Sequence, residues 1–234
     1  MTRTIVVVGG SSGIGRAIAT GFAGEDGTRV VATGHEEGFI ADLPENVESA
    51  VLDVQDADAV ATFFAGFNRI DVLVNCAGVI RRNGAEFRHQ DFAEVLDINL
   101  NGTQRCCEAA HIALQAAGGC IINTASMLTY FGSATSPAYA ASKGGVAQLT
   151  KSLAIAWAAD GIRVNAIAPG WIVTDLTRAL TEDTARSEHI LSRTPMKRWG
   201  RPADLAGPAR FLASPEAAFV TGVILPVDGG YSAS

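Results

Sequence analysis

No stretch of this sequence is apolar for long enough to span a membrane, which takes about 18 residues or more. The first apolar run, Ile5 to Val8, is four residues long and ends in glycines, so it has neither the length nor the flanks of a secretory signal. Both absences predict a cytoplasmic protein without a membrane partner. Charged residues are scarce, at 18% of 234, against 48% hydrophobic. That balance excludes a disordered chain and supplies one large core. The net charge of −6 predicts no nucleic-acid partner. The few cysteines, Cys76, Cys106, Cys107 and Cys120, form no C-x-x-C pair and have no histidine at metal-ligand spacing. Reduced, buried thiols and no metal site are expected. There is no G-x-x-x-x-G-K-[ST] loop and no G-x-S-x-G elbow, so neither an NTPase nor a serine hydrolase is supported. The histidines, His35, His89, His111 and His189, show no partnership with a nucleophile, and His111 reads as a packed or surface residue within a helix.

Glycine, by contrast, is plentiful, at 25 residues without a G-X-Y period. Tight turns and close backbone approaches explain such an excess. Short β-branched runs alternate with longer helical stretches. Strands are predicted over Thr4–Val8, Arg29–Thr33, Ala50–Val54, Ile70–Val74, Cys120–Thr124, Arg163–Ile167 and Val223–Val227. Helices are predicted over Ile14–Ala23, Ala57–Phe67, Phe92–Ala116, Tyr139–Ala159, Glu182–Ser192 and Ala203–Ala213. The strands are apolar on both parities, as strands covered on both faces must be. The pattern is that of one α/β domain: a doubly wound, Rossmann-type parallel sheet of about seven strands with helices on both faces. Residues 175–202 carry more charge and no strong strand, and are expected to form an insertion over one end of the sheet.

The loop Gly9-Gly10-Ser11-Ser12-Gly13-Ile14-Gly15 follows the first strand and opens the first helix. Gly9 permits the sharp turn, Gly13 admits a pyrophosphate close to backbone, and Gly15 lets helix and strand pack. N–H groups at the helix start then face the anion. The spacing, G-x-x-x-G-x-G, departs from the usual G-x-G-x-x-G. A dinucleotide is expected here.

Tyr139 and Lys143 lie four residues apart, on one face of a helix, and Ser126 directly follows the fifth strand. Ligands of such sheets bind at the carboxyl ends of strands, so a hydroxyl, a phenol and an ammonium can converge there. A lysine cation and a positively charged nicotinamide ring would both favour phenolate, making Tyr139 a workable acid/base. Ser126 would hold the substrate oxygen. The pair alone also fits a capping aromatic and a solvated charge. The serine and the glycine loop favour the chemical reading.

With these motifs the chain resembles the short-chain dehydrogenase/reductase family over nearly its whole length. The loop matches the family's T-G-x-x-x-G-x-G with Val8 in place of Thr, and Asn75-Cys76-Ala77-Gly78 resembles its N-N-A-G turn with Cys76 in place of Asn. The resemblance implies adenine contacts from Asp53 and Val54 and cofactor contacts from Asn75, Ala77 and Gly78. It implies a proton relay through Asn99, and catalysis by Ser126, Tyr139 and Lys143. Pro169, Gly170, Ile172 and Thr174 would cover the nicotinamide, and Lys143 would also meet its ribose. The implied reaction is hydride transfer between NAD(P) and a secondary alcohol or ketone, in a homotetramer. Val79-Ile80-Arg81-Arg82 after the turn, together with Met127 and the 186–214 segment, is similar to sugar-acid enzymes of the 2-dehydro-3-deoxy-gluconate 5-dehydrogenase group. Reduction of 3-oxoacyl thioesters, and a dinucleotide-binding regulator without turnover, remain alternatives.

At the end of the second strand, Gly34 stands where an Asp that reads the ribose 2′-OH is usual, and His35 where NADP enzymes of the family carry Arg. Glu36 and Glu37 would repel a 2′-phosphate, so NAD is expected over NADP. Arg81 or Arg82 is expected to bind a carboxylate, the alternative being loop charges paired with Glu86 or Asp91. Met127, Trp171 and His189 are the other expected pocket walls.

Overall fold

The computed structural model describes residues 2–233. All seven strands are parallel: β1 (Arg3–Val8), β2 (Thr28–Gly34), β3 (Glu48–Val51), β4 (Val72–Asn75), β5 (Cys120–Thr124), β6 (Arg163–Pro169) and β7 (Ile224–Val227). Their order across the sheet is β3-β2-β1-β4-β5-β6-β7. The order reverses at β1, which opens a crevice beyond the carboxyl ends of β1 and β4.

Strand parity decides which face each residue covers. Ile5 and Val7 of β1 point to one side. There they meet Ile18 and Phe22 of α1 (Gly13–Ala23) and Leu205 and Leu212 of α9 (Ala203–Ala213). Val6 and Val8 point to the other. They meet Val60 and Phe64 of α3 (Ala57–Ala65), Cys106 and Leu114 of α5 (Gly102–Gln115), and Ala154 of α6 (Pro137–Ala156). Fully buried side chains such as Phe22 and Phe64 contribute roughly 1.5–3 kcal/mol each. Four more helices occur among the described residues: α2 (Glu37–Ile40), α4 (His89–Leu96), α7 (Arg178–Thr181) and α8 (Thr184–Arg193).

Two predicted elements differ. The helix expected over Phe92–Ala116 is α4 and α5 joined by a wide π turn, Asp97–Asn101. The side chain of Asn99 in that turn is fixed from outside the helix, by Val79 and Ser142. The strand expected over Ala50–Val54 ends at Val51. Leu52 N–H still bonds Gly34 C=O, but Asp53 then turns the chain by accepting Gln55 N–H at 2.9 Å. The buried Leu52 and Val54 keep their apolar environment as loop residues. Among the described residues all four cysteines are free, no helix is long and apolar enough to cross a membrane, and no cluster fit to hold a metal ion occurs. His111, expected as a packed or surface residue, is half-buried: it bonds Asp160 at 2.9 Å and packs on Trp157.

Candidate active site

The glycine loop takes its shape from contacts that leave no room for side chains. A Cβ on Gly15 would lie 2.1 Å from Gly9 O, and one on Gly9, at φ +73, would lie 2.5 Å from Ala77 N. The β1–α1 loop and the Asn75–Gly78 turn are therefore pressed together. Ser12 is extended and makes no side-chain bond to the first turn of α1, so the opening amides are not taken by a cap. Gly13, at φ +50, is nearest to Thr174, which brings the segment after β6 over the loop.

At the end of β2 a Cβ on Gly34 would lie 2.8 Å from Ser11 Oγ and 3.0 Å from the Ile40 side chain. The neighbouring His35 is exposed, with Nε2 3.9 Å from Glu36 Oε1 and its ring stacked near Phe39. Asp53 is exposed at the mouth of the same crevice, and Val54 is buried behind it. Asn75 does not face the cleft with its side chain. That group is buried and donates to Asn123 Oδ1 at 2.9 Å and to Cys107 Sγ, so it ties β4 to β5 inside the sheet. Gly78 brings two polar groups together: a Cβ there would lie 3.3 Å from Asn99 Oδ1 and 3.6 Å from Lys143 Nζ.

Ser126, Tyr139 and Lys143 do converge. Ser126 caps the turn Met127–Thr129 by accepting Leu128 N–H, and it hydrogen-bonds the Tyr139 phenol. Lys143 is buried, donates to Thr124 C=O at 2.7 Å, and lies 5.6 Å from the centre of the Tyr139 ring. Burial holds its ammonium down at about 8. The expectation that Lys143 depresses the Tyr139 pKa needs correction. Burial pushes the phenol up to about 12; the Ser126 bond opposes that, Glu86 adds to it, and Arg82 is the cation that pulls it down. Asn99 touches neither the phenol nor the ammonium in the hydrogen-bond pattern. Its side chain accepts Val79 N–H at 2.7 Å and donates to Val79 C=O and Ser142 Oγ. Cys76 contacts Thr124 Oγ1 at 3.2 Å, and burial lifts its thiol to about 11.

Ser126 and Tyr139, with Thr124 beside them, line the floor of a cavity of about 1040 Å³; Lys143, Asn99 and Cys76 lie behind it. Ile14, Pro169, Gly170, Ile172 and Thr174 form one wall, and Met127, Trp171 and His189 contribute as expected. The two arginines part company. Arg82 lines the cavity and donates to Leu176 C=O at 2.5 Å. Arg81 does not line it: its guanidinium is held by both oxygens of Glu94, at 2.8 and 2.9 Å. The bidentate partner fixes it away from the cleft, so the pairing alternative holds for Arg81, with Glu94 rather than Glu86 or Asp91 as its ion pair.

Of the roof, sequence reading named the 175–202 insertion and His189 but not the arginines beside it. Arg186, His189, Ile190 and Arg193 of α8 all border the cavity. Their spacing of three, four and seven was the available signal, one helix face carrying three basic residues. Arg193 is stacked 4.7 Å over the ring of Tyr231, from the last turn of the chain. No carboxylate lines the cavity among the described residues. Glu86 was missed as well, except as a surface partner for the arginines. It is fully buried.

A family profile described as enoyl-(acyl carrier protein) reductase matches residues 8–232. A 2-dehydro-3-deoxy-D-gluconate 5-dehydrogenase of Pseudoalteromonas atlantica is 44% identical over 98% of this chain and 95% of its own. Among solved structures, a protein of Beutenbergia cavernae described as a putative NAD(P)-dependent gluconate 5-dehydrogenase, with bound NADP, is 44% identical. Its TM-score is 0.91 over 99% of this chain and 97% of that one. A gluconate 5-dehydrogenase of Burkholderia cenocepacia in complex with NADP and tartrate is 36% identical, with a TM-score of 0.93 over 99% and 96%. Neither structure bears out the expected preference for NAD; both hold NADP.

Proposed function

The chain belongs to the short-chain dehydrogenase/reductase family and is an NAD(P)-dependent oxidoreductase, and from that premise we propose that it oxidises or reduces a sugar acid at a secondary alcohol or ketone. The observation that carries the reading is the cavity itself. Ser126 and Tyr139 share a hydrogen bond on its floor, three arginines and a histidine border it, and no carboxylate does. A hydroxylated anion suits both halves. The relatives named for gluconate derivatives support it.

The cleft fits a dinucleotide. The glycine-tight loop Gly9 to Gly15 and the side-chain-free start of α1, with Ser11 and Ser12, would hold the pyrophosphate. Gly34 and His35 would border the adenosine ribose, Asp53 and Val54 the adenine. Ala77, Gly78, Lys143 and the Pro169–Thr174 wall would hold the nicotinamide half. When bound, the nicotinamide supplies the hydride acceptor or donor. In the oxidation direction Tyr139 Oη takes the proton of the substrate hydroxyl while Ser126 Oγ holds the same oxygen. Lys143, charged below about 8, would hold the ribose side of the cleft. Asn99 sets the Val79 turn and Ser142 beside Lys143, from where it would complete a proton relay through water.

The cofactor is read as NADP. Position 34 lacks the acid that would bond a 2′-hydroxyl and is crowded by the Ser11 and Ile40 side chains, and Glu36 leans on His35 rather than standing alone against a phosphate. The 175–202 segment, with α8, acts as the lid over the substrate. Exposed Ile112 on α5 and Ile155 on α6 supply apolar area for assembly into a homotetramer. Turnover measured with both cofactors over a panel of sugar acids, neutral polyols and a 3-oxoacyl thioester tests the reading. Preference for the acids with NADP supports it. Preference for the thioester replaces the substrate, a tenfold preference for NAD replaces the cofactor, and binding without turnover on the panel overturns catalysis.

A further inference from the structure

Glu86 is the one carboxylate among the described residues that is wholly buried, and its burial is purposeful in its partners. Oε1 accepts the backbone N–H of Arg81 and Oε2 the backbone N–H of Tyr139, each at 2.9 Å. Tyr139 is the third residue of α6, which opens at Pro137 after Ser136. Ser136 makes no side-chain cap bond. The amide of Tyr139 is thus an N-terminal helix donor capped by a carboxylate 53 residues away. A negative charge is favoured at that end of a helix. The other oxygen grips the loop whose next residue, Arg82, lines the cavity. Glu86 itself is presented by a short turn, Ala85–Phe87, entered through Asn83 and Gly84, both at positive φ. The chain bends sharply there to bring the carboxylate inward.

We infer that Glu86 is a positioning residue, whose carboxylate ties the helix bearing the Tyr139 phenol to the loop bearing Arg82, so that a substrate held at Arg82 arrives in register with the phenol. The inference rests on the reading of Tyr139 as the acid/base. The charged groups around the tie are few. From α6 come the Tyr139 phenol and Lys143. From the loop come Arg81, occupied by Glu94 of α4, and Arg82. From α4 there are also His89 and Asp91, the latter paired with Arg88. Glu86 is therefore the negative charge that bears on the phenol, and Arg82 the positive one.

The test is Glu86→Gln, which keeps the shape, removes the charge and turns an NH2 group toward one of the two amides. The expected kcat on an acidic substrate falls ten- to hundredfold, of the order that small misplacement at a reacting centre costs. The midpoint of the kcat–pH profile moves to lower pH, because the phenol ionises more easily without the neighbouring charge. Affinity for NADP stays within about twofold, since Glu86 lies outside the glycine loop. Glu86→Asp keeps the charge and shortens the reach, so its kcat falls while its pH midpoint stays near that of the wild type. A folded Glu86→Gln with unchanged kcat and pH profile overturns the inference. If that variant does not fold, amide hydrogen exchange of the unmodified protein decides. The Arg81 and Tyr139 amides exchange together and slowly if the tie holds, and free exchange of Arg81 beside a protected Tyr139 overturns it. Full turnover by Tyr139→Phe would instead sink the proposed function and leave the exchange result standing.

Discussion

The floor and the roof of the cavity are built on different principles. The floor is made of backbone and of buried polar groups held by short bonds to backbone and to one another. Behind Ser126 and Tyr139, Gly9, Gly15 and Gly78 exclude side chains by 2.1 to 3.3 Å contacts, and Lys143 is held by Thr124 C=O. The roof is made of long side chains, Arg82, Arg186, His189 and Arg193, gathered from two separate segments and resting on carbonyls or rings. A floor of this kind positions reacting atoms to fractions of an ångström; a roof of this kind selects by charge, and only Arg82 among its cations also bears on the phenol.

Substitutions can sharpen that contrast. The largest effect is expected on the floor: Tyr139→Phe should lower kcat by about 10²–10⁴ while the cofactor Kd hardly moves. Retained kcat on a verified substrate would show that the floor is not where the proton moves. Next comes pH-dependent stability. The buried Lys143 has its pKa lowered from 10.5 to about 8, so between those values the unfolded chain binds more protons than the native one. Its charge therefore opposes folding fully below pH 8, and that opposition is relieved as pH rises towards 10.5, a change of about 3 kcal/mol as an upper figure. Urea unfolding at a series of pH values, compared with Lys143→Met, measures it. A variant whose pH slope over that window equals that of the wild type would refute it. On the roof, Arg82→Ala should raise KM for an acidic sugar about tenfold and leave its neutral analogue alone. Equal effects on both substrates would make Arg82 a prop for Leu176 and no more. Smallest of all, Arg81→Ala should change KM little and cost only about 0.2–1 kcal/mol in thermal unfolding, as a half-exposed pair with Glu94 would. A large rise in KM would bring Arg81 back to the substrate.

The same division governs what could be read from the sequence. The strand positions and the helices α1 and α9 follow from local apolar runs, and their ends from adjacent turn residues. Tyr139 and Lys143 are four apart on one helix, and the glycine loop is contiguous, so their spacing is itself geometric information. The π turn at Asp97–Asn101 is different. Its residues carry no unusual local preference, and the partners of Asn99, Val79 and Ser142, come from outside the helix. Glu86 was obscure for the same reason, since the two amides it binds are brought to it by tertiary structure. Arg81 and Arg82, adjacent in sequence, could be told apart only when Glu94 was seen to claim one of them. The basic face of α8 was legible in its spacing, but nothing in that spacing says which way the face looks.

The packing of Gly34 against Ser11 and Ile40 bears on how cofactor choice can change over time. A single mutation to Asp at 34 would collide with both before it could offer its carboxylate to a ribose. The path through sequence space from one dinucleotide to the other is therefore narrowed rather than closed: how far the Ser11 hydroxyl and the Ile40 side chain can yield decides what the change costs. A designer who wants the switch gains by pairing the change at 34 with a smaller residue at 11, so that the new side chain finds room without displacing the loop.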